Sequence, residues 1–332
     1  MPSSISSSRP LALLLGLGLF IAAEQWLWSS AVVARRLLAI QPASASADAM
    51  GVAARIRLMN ADQTPPLILL GSSQIREGLD CDILAGAPGL GPCVNLGIGG
   101  GAPLDLLHIS RELGDGPRTL VLAIFPGVVS KSPKSGFIDT STVRALAASG
   151  VWSRITPDDW RLLETGLAQT LSPTLRHREA LREAYRERGG AWPRLPEGTA
   201  VPFTRRTTDA DRKPPIYFAN RINRVDPDHA LSRFTPAQSL ALDWLIEREA
   251  RAGHRIVVVD FPTRPGFETT LGPEVRAHYA SLLDRLRARS DIRFVEASEL
   301  GPLSENEFID FTHLDSTGRR LVSERLKSLL AR

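Results

Sequence analysis

The feature that most restricts this chain is a recurring unit: a short apolar run that ends in glycine or serine and passes into a helical pattern. PPLILLGSS (65–73) is the first run, and residues 74–86 read as the helix after it. CVNLGIGG (93–100) is the second, followed by the helical APLDLLHISRELG (102–114), which stops at Gly114. RTLVLAIFP (118–126) is the third. These runs are apolar at nearly every position, as in strands buried on both faces. Repetition of strand, tight turn and helix predicts a parallel sheet with helices on both sides.

The pattern resumes late in the chain. TPAQSLALDWLIEREARAG (235–253) reads as a helix with Thr235 as N-cap, Pro236 at its first position and Gly253 as stop. RIVVVDFP (255–262) and IRFVEA (292–297) read as a fourth and a fifth strand, with GPEVRAHYASLLDRLRARS (272–290) as the helix between them. STGRRLVSERLKSLLA (316–331) is the final helix. Between the two blocks, residues 127–235 lack buried-strand patterns. They carry SPKSG, TPDDW, LSPT, WPRLPEGTAVP and RKPPI, with helical stretches such as HREALREAYRERG among them. The expectation is a large, partly helical insertion over the sheet.

The amino terminus has a different character. Leu11 to Ala34 reads LALLLGLGLFIAAEQWLWSSAVVA, close to the ~20 apolar residues that cross a bilayer. Glu24 and Gln25 interrupt it, while Trp26 and Trp28 suit a membrane interface. A cleaved signal peptide and a core helix are the rival readings; the length of the apolar run favours an uncleaved transmembrane anchor over 11–34. The resulting organisation is a tail at 1–10, the anchor at 11–34, a linker and lead-in at 35–64, and an α/β domain at 65–332.

The formal net charge of +4 invites a nucleic-acid reading. Against it, Arg is interspersed with Asp and Glu, as in LREAYRERGG (181–190) and LLDRLRARSD (282–291), the pattern of solvated helix faces. No nucleic-acid partner is expected. Cys81 and Cys93 flank the turn AGAPGLGP (85–92). They fit either one disulfide in an exported domain or two small buried side chains. No His/Cys cluster has zinc spacing, so neither a metal nor another cofactor is expected.

Two sites far apart in sequence carry the chemistry. GSSQ (71–74) puts a serine on a strand-to-helix turn, at the carboxyl end of the sheet where open α/β folds bind ligands. The helix after it offers free N–H groups to an oxyanion. Taken alone, a serine here is more often a helix cap. DFTH (310–313) places Asp310 three residues before His313 in a loop ahead of the last helix. A serine nucleophile needs a neutral imidazole to take its proton, and the imidazole needs a carboxylate to orient it. His108, His177, His229, His254 and His278 have no comparable local chemistry.

A strand ending in Gly-x-Ser and an Asp-x-x-His before the terminal helix together resemble the SGNH (GDSL-like) hydrolase superfamily. The resemblance covers residues 67–113 and 255–330. Gly71-Ser72-Ser73 is similar to the family's Gly-Asp-Ser block, which implies Ser73 as nucleophile. Asn95-Leu96-Gly97-Ile98-Gly99-Gly100 resembles its glycine block, which implies the Ser73 and Gly100 backbone N–H groups as the oxyanion hole. Asp310-Phe311-Thr312-His313 resembles its last block. The chain departs from the family at Phe125-Pro126-Gly127, where a Gly-x-Asn-Asp is expected and no Asn stands.

The fold this implies is a three-layer α/β sandwich with a parallel central sheet, SGNH/flavodoxin-like. The N-terminal segment and the large insertion look most like membrane-anchored members linked to O-acylation of cell-surface polymers. The implied activity is that of a serine esterase or O-acyltransferase with a cell-surface glycan or another acyl ester as substrate. A membrane acyltransferase is an implied partner. The implied setting is single-pass attachment to the inner membrane, with the domain periplasmic or extracellular. A non-catalytic scaffold of the same fold, binding a polysaccharide or membrane partner, is the reading that the absent Asn favours.

Other features weigh less. NLGIGGGAP (95–103) lacks the Lys-Ser/Thr of a phosphate loop and follows the second strand, not the first. Trp152, Trp160, Trp192 and Trp244 fit a sugar groove, though tryptophans more often fill cores. TRRTTDADRK (204–213) fits contact with an anionic polymer, or a solvated loop.

Overall fold

Apolar runs of the kind found at 67–70, 119–124 and 255–260 can satisfy their backbone groups only inside a sheet, because their side chains leave no polar face. The computed structural model describes residues 8–30, 33, 51–53, 55–56, 67–85, 89–130, 172, 174, 208–221 and 236–331. It contains five strands: β1 (Leu67–Leu70), β2 (Cys93–Asn95), β3 (Thr119–Ile124), β4 (Arg255–Asp260) and β5 (Arg293–Val295). They form one all-parallel sheet in the order β2-β1-β3-β4-β5. Leu67 stands opposite both Cys93 and Thr119, Leu120 opposite Ile256, and Val257 opposite Arg293.

The described helices are α1 (Ser8–Ser29), α2 (Ser73–Gly78), α3 (Cys81–Leu84), α4 (Pro103–Ser110), α5 (Pro215–Ala219), α6 (Pro236–Arg251), α7 (Pro273–Arg287) and α8 (Ser316–Leu330). Side chains alternate across a strand, so each strand feeds two cores. Ile68, Leu70, Leu120, Leu122, Ile256 and Val258 pack with Leu107 of α4, Leu245 of α6 and Leu282 of α7. Leu67, Leu69, Val121, Ala123, Val257 and Val259 pack on the other face with Ile75 of α2, Leu84 of α3 and Leu326 of α8. The expected parallel sheet with helices on both faces is therefore present. Burying each of these large aliphatic side chains stabilises the fold by roughly 1.5–3 kcal/mol. Truncating fully buried Leu69 or Leu122 to Ala would cost about 2–5 kcal/mol.

The topology also locates a crevice. After β1 the chain moves outward to β2, then returns past β1 to build β3, β4 and β5 on its other side. At such a reversal the connections leave the strand ends in opposite directions, and the carboxyl ends of β1 and β3 face open space.

Two expected features differ. The helix read over 74–86 is two short helices, broken where Leu79 adopts an extended conformation. Asp80 then caps α3 by accepting the Asp82 N–H at 2.9 Å. The segment read as an anchor over 11–34 differs in extent: its helix runs Ser8–Ser29. α1 ends at Ser29, and among the described residues no helix is long and apolar enough to cross a membrane. Its carboxyl end packs on the domain: Glu24 and Trp28 are buried, and the Trp28 indole N–H donates to Thr174 Oγ1 at 3.1 Å. Leu14, Leu15, Leu17, Leu19 and Phe20 remain exposed. Within the supposed linker, Val52 and Ile56 are fully buried in the same core as Trp28, because their apolar side chains are removed from water there. Most of the predicted insertion at 127–235, the rest of the linker, and Thr235 lie outside the described residues.

Candidate active site

The chain turns sharply after β1. Ser72 is extended, and its carbonyl accepts the N–H groups of Ile75 (3.1 Å) and Arg76 (3.2 Å). Ser73 is thus the first residue of α2, at the carboxyl end of β1 beside the topological reversal. The Ser72 hydroxyl is engaged elsewhere, donating to Gln74 Oε1. α2 is held from below by β2. The Asn95 side-chain amide donates to the carbonyl of Ile75 at 2.9 Å, with those of Arg76 and Leu79 at 3.4 Å, covering acceptors that the short helix leaves open. Asn95 Oδ1 in turn accepts the Gly97 N–H at 3.0 Å. A Cβ at Gly97 would fall 2.6 Å from the Arg76 nitrogen, so only glycine lets this loop pass against the helix.

The acid and the base come from a small closed loop. Phe308 and Leu314 form an antiparallel bridge, and the Ile309 N–H donates to the His313 carbonyl at 2.8 Å. Inside it, Asp310 Oδ1 accepts the N–H groups of Thr312 (2.8 Å) and His313 (2.9 Å), the local turn chemistry typical of aspartate. Asp310 Oδ2 lies 2.8 Å from His313 Nδ1, and His313 Nε2 lies 2.9 Å from Ser73 Oγ. With Nδ1 protonated and donating to Asp310, Nε2 is the acceptor for the serine proton. Burial alone would push the Asp310 carboxyl up. The hydrogen bond and positive charge of His313, with the two backbone N–H groups, outweigh it and hold the carboxyl below its usual range.

A second carboxylate stands at the imidazole. Glu77 is 3% exposed; one oxygen is 3.8 Å from His313 Nε2 and the other 2.7 Å from the Arg76 guanidinium. Sequence reasoning did not single it out. The available signal was its spacing, four residues after Ser73 on one helix and hence on the same face.

The remaining expected site residues fall as follows. Gly100 follows β2 with φ of 70°, and a Cβ built there would meet nothing within 4 Å, so its backbone borders open space. Phe125-Pro126-Gly127 enters a 3-10 turn spanning Pro126–Val129 and offers no side-chain amide. Asn95, the nearest asparagine of the glycine block, is committed to α2. Cys81 and Cys93 are joined as a disulfide, fastening α3 to β2 across the turn between them. Trp244 is partly buried against the main core. Trp152, Trp160 and Trp192 lie outside the described residues, as do His177 and His229. His278 is exposed beside Glu274 on its own helix, and His254 sits at the far end of the sheet.

The arrangement brings together a hydroxyl, a base within hydrogen-bonding reach of it, and a carboxylate orienting that base. No protein-family model matches the chain, and no curated protein matches it either.

Proposed function

We propose that this protein is an SGNH-like serine esterase or O-acyltransferase acting on acyl esters, in the first place acetyl esters of a cell-envelope glycan. The observation that carries the reading is the continuous line from Ser73 Oγ through His313 to Asp310, with contacts of 2.9 and 2.8 Å, at the carboxyl end of β1. In the mechanism, Ser73 Oγ attacks the acyl carbonyl while His313 Nε2 takes its proton. The tetrahedral oxyanion is held by the Ser73 and Gly100 N–H groups. It collapses to an acyl-serine as the leaving alkoxide takes the proton back from His313. His313 then deprotonates the second acceptor, which attacks the acyl-serine and regenerates Ser73. Water as acceptor makes the reaction hydrolysis; a glycan hydroxyl makes it transfer.

Two further observations support the setting. The Cys81–Cys93 bridge favours an oxidising compartment, such as the periplasm or the cell exterior. The exposed leucines of α1 favour attachment at a membrane, where a membrane acyltransferase would be within reach as acyl donor. A non-catalytic scaffold is the second reading, and the lack of an amide at Phe125-Pro126-Gly127 is what favours it. An absent oxyanion donor costs about 3–4 kcal/mol of transition-state stabilisation, which slows an ester reaction without abolishing it.

The test is labelling with a fluorophosphonate probe beside Ser73→Ala and His313→Ala. Labelling that requires both residues is the expected result. A folded protein that does not label would shift the reading to the scaffold.

A further inference from the structure

The loop carrying Asp310 and His313 is fastened from outside the sheet. The fastening comes from 208–221, a described stretch of the segment between β3 and β4. The Arg212 guanidinium makes three contacts on that loop: the carbonyl of Asn306 at 2.7 Å, the carbonyl of Phe308 at 3.0 Å and Asp315 Oδ2 at 2.6 Å. These points lie on both sides of the catalytic pair in sequence. Phe308 is one partner of the bridge that closes the loop, and Asp315 directly follows the other, Leu314. Asp315 also caps α8, its other oxygen accepting the Gly318 N–H at 2.8 Å. The backbone of the same segment joins in, the Lys213 N–H donating to the Ile309 carbonyl at 2.8 Å. Asp209 accepts the N–H and hydroxyl of Ser316 at 3.0 and 2.6 Å. From α5, Phe218 meets Phe311, the residue after Asp310, edge to face at 5.1 Å.

A planar guanidinium with several donors in fixed directions suits such a clamp, where a lysine ammonium would not. The two carbonyls and the carboxylate it joins define both ends of the loop. A tilt of that loop would move His313 Nε2 away from Ser73 Oγ, which comes from the other end of the domain sequence.

We propose that Arg212 is a positioning residue for the Asp310–His313 loop, so that the segment between β3 and β4 governs whether the triad is assembled. The inference rests on the acyl-transfer reading for its kinetic consequence, but not for its structural one. Misplacement of a catalytic group by about 1 Å costs roughly 100-fold in rate.

The experiment uses the full-length protein, wild type, Arg212→Lys and Arg212→Ala, with two readouts. The first is the rate of fluorophosphonate labelling at Ser73. The second is the downfield proton resonance of the His313 Nδ1–H bonded to Asp310, assigned with His313→Gln. For Arg212→Ala the expected results are labelling slowed by about 10- to 100-fold and a resonance that weakens or shifts upfield. Both should recover in part when guanidinium ion is added at a concentration well below denaturing. Arg212→Lys should fall between wild type and Arg212→Ala. An unchanged resonance in both variants overturns the proposal. So does a change that guanidinium leaves uncorrected in protein of unaltered thermal midpoint. Should Arg212→Ala fail to fold, an unchanged resonance in Arg212→Lys overturns the proposal and a shifted one supports it. If the wild type fails to label, the acyl-transfer reading falls while the resonance still decides the clamp.

Discussion

Two of the described histidines meet carboxylates away from the open surface, and they stand at opposite ends of the same sheet. His313 lies beyond the carboxyl end of β1 and pairs with Asp310; His254 lies just before β4 and pairs with Glu249 on α6, 3.3 Å away. The His254 side chain is 1% exposed, and its Nε2 also meets the Gly114 carbonyl at 3.2 Å. Burial, aided by nearby Arg118, pushes the His254 imidazole down; burial pushes the Glu249 carboxyl up against the pull of Arg248. Both shifts favour neutral forms. His313 is 20% exposed, and its Nε2 faces a serine hydroxyl. The lesson is that a histidine–acid pair is not a site in itself. It becomes one where the second nitrogen is left facing a nucleophile at an edge that substrate can reach.

That contrast is open to direct attack. Replacing Ser73 or His313 by Ala should reduce ester turnover or probe labelling by about 10⁴-fold or more. Labelling of His254→Gln should stay within about twofold of wild type, because no reacting atom passes near that end of the sheet. A large loss in His254→Gln without unfolding would erase the distinction.

Asp310→Asn keeps the shape of the loop but removes the charge that fixes the imidazole, and should cost about 10³- to 10⁴-fold. Single-turnover rates against pH would measure it. Asp310 also makes a stability prediction. Its folded pKa is depressed, so its contribution is present above the ordinary carboxylate range and is lost as pH falls through the folded value. In a thermal-midpoint profile against pH, Asp310→Asn should therefore lose less than wild type on acidification.

The disulfide makes a smaller demand. Cys81 and Cys93 are separated by 12 positions, and a bridge closing a loop of that size contributes about 3 kcal/mol by chain entropy. Cys81→Ser with Cys93→Ser should lower the denaturation midpoint accordingly, with denatured-state compactness as the compensating unknown that the urea m-value reads. Reduction of wild type should produce the same shift.

The smallest effect falls on Asp260, at the carboxyl end of β4, the same edge of the sheet as the candidate site, yet buried like Glu249. Burial raises its pKa to about 6, although the Tyr279 hydroxyl donates to it at 2.5 Å. A carboxyl raised above its unfolded value stabilises while protonated, and stability falls as pH rises from about 4 through 6. Asp260→Asn keeps an acceptor for Tyr279 and removes that loss. Its gain should reach about 2–3 kcal/mol above pH 6.5 and vanish near pH 4 in chemical denaturation. Equal gains at both pH values would show that ionisation of Asp260 is not the cause.

Much of the fold was legible because it rests on short-range signals. Each expected strand appears, since consecutive apolar β-formers at 67–70, 119–124 and 255–260 have few other ways to leave water. Pro236 begins α6 and Pro273 begins α7, at positions where proline's missing N–H costs nothing. The helix read over 74–86 broke because Asn95 and Ser323, remote in sequence, satisfy the backbone at Ile75 and Asp80. Hydropathy along 11–34 does not report that Trp28 and Glu24, at the carboxyl end of that run, are buried.

By itself, the sequence determined the parallel sheet, the serine on its strand-to-helix turn, and the Asp-x-x-His loop ahead of the last helix. All three follow from local periodicity and local turn chemistry. Only the tertiary structure decided that Ser73 and His313, 240 residues apart, lie within a hydrogen bond. It alone also placed Glu77 at the imidazole, assigned Asn95 to holding α2, and set Arg212 across the loop that carries Asp310 and His313. Each of those contacts depends on directional bonds of about 3 Å between distant segments. Such geometry exists only once the two faces of the sheet have been packed.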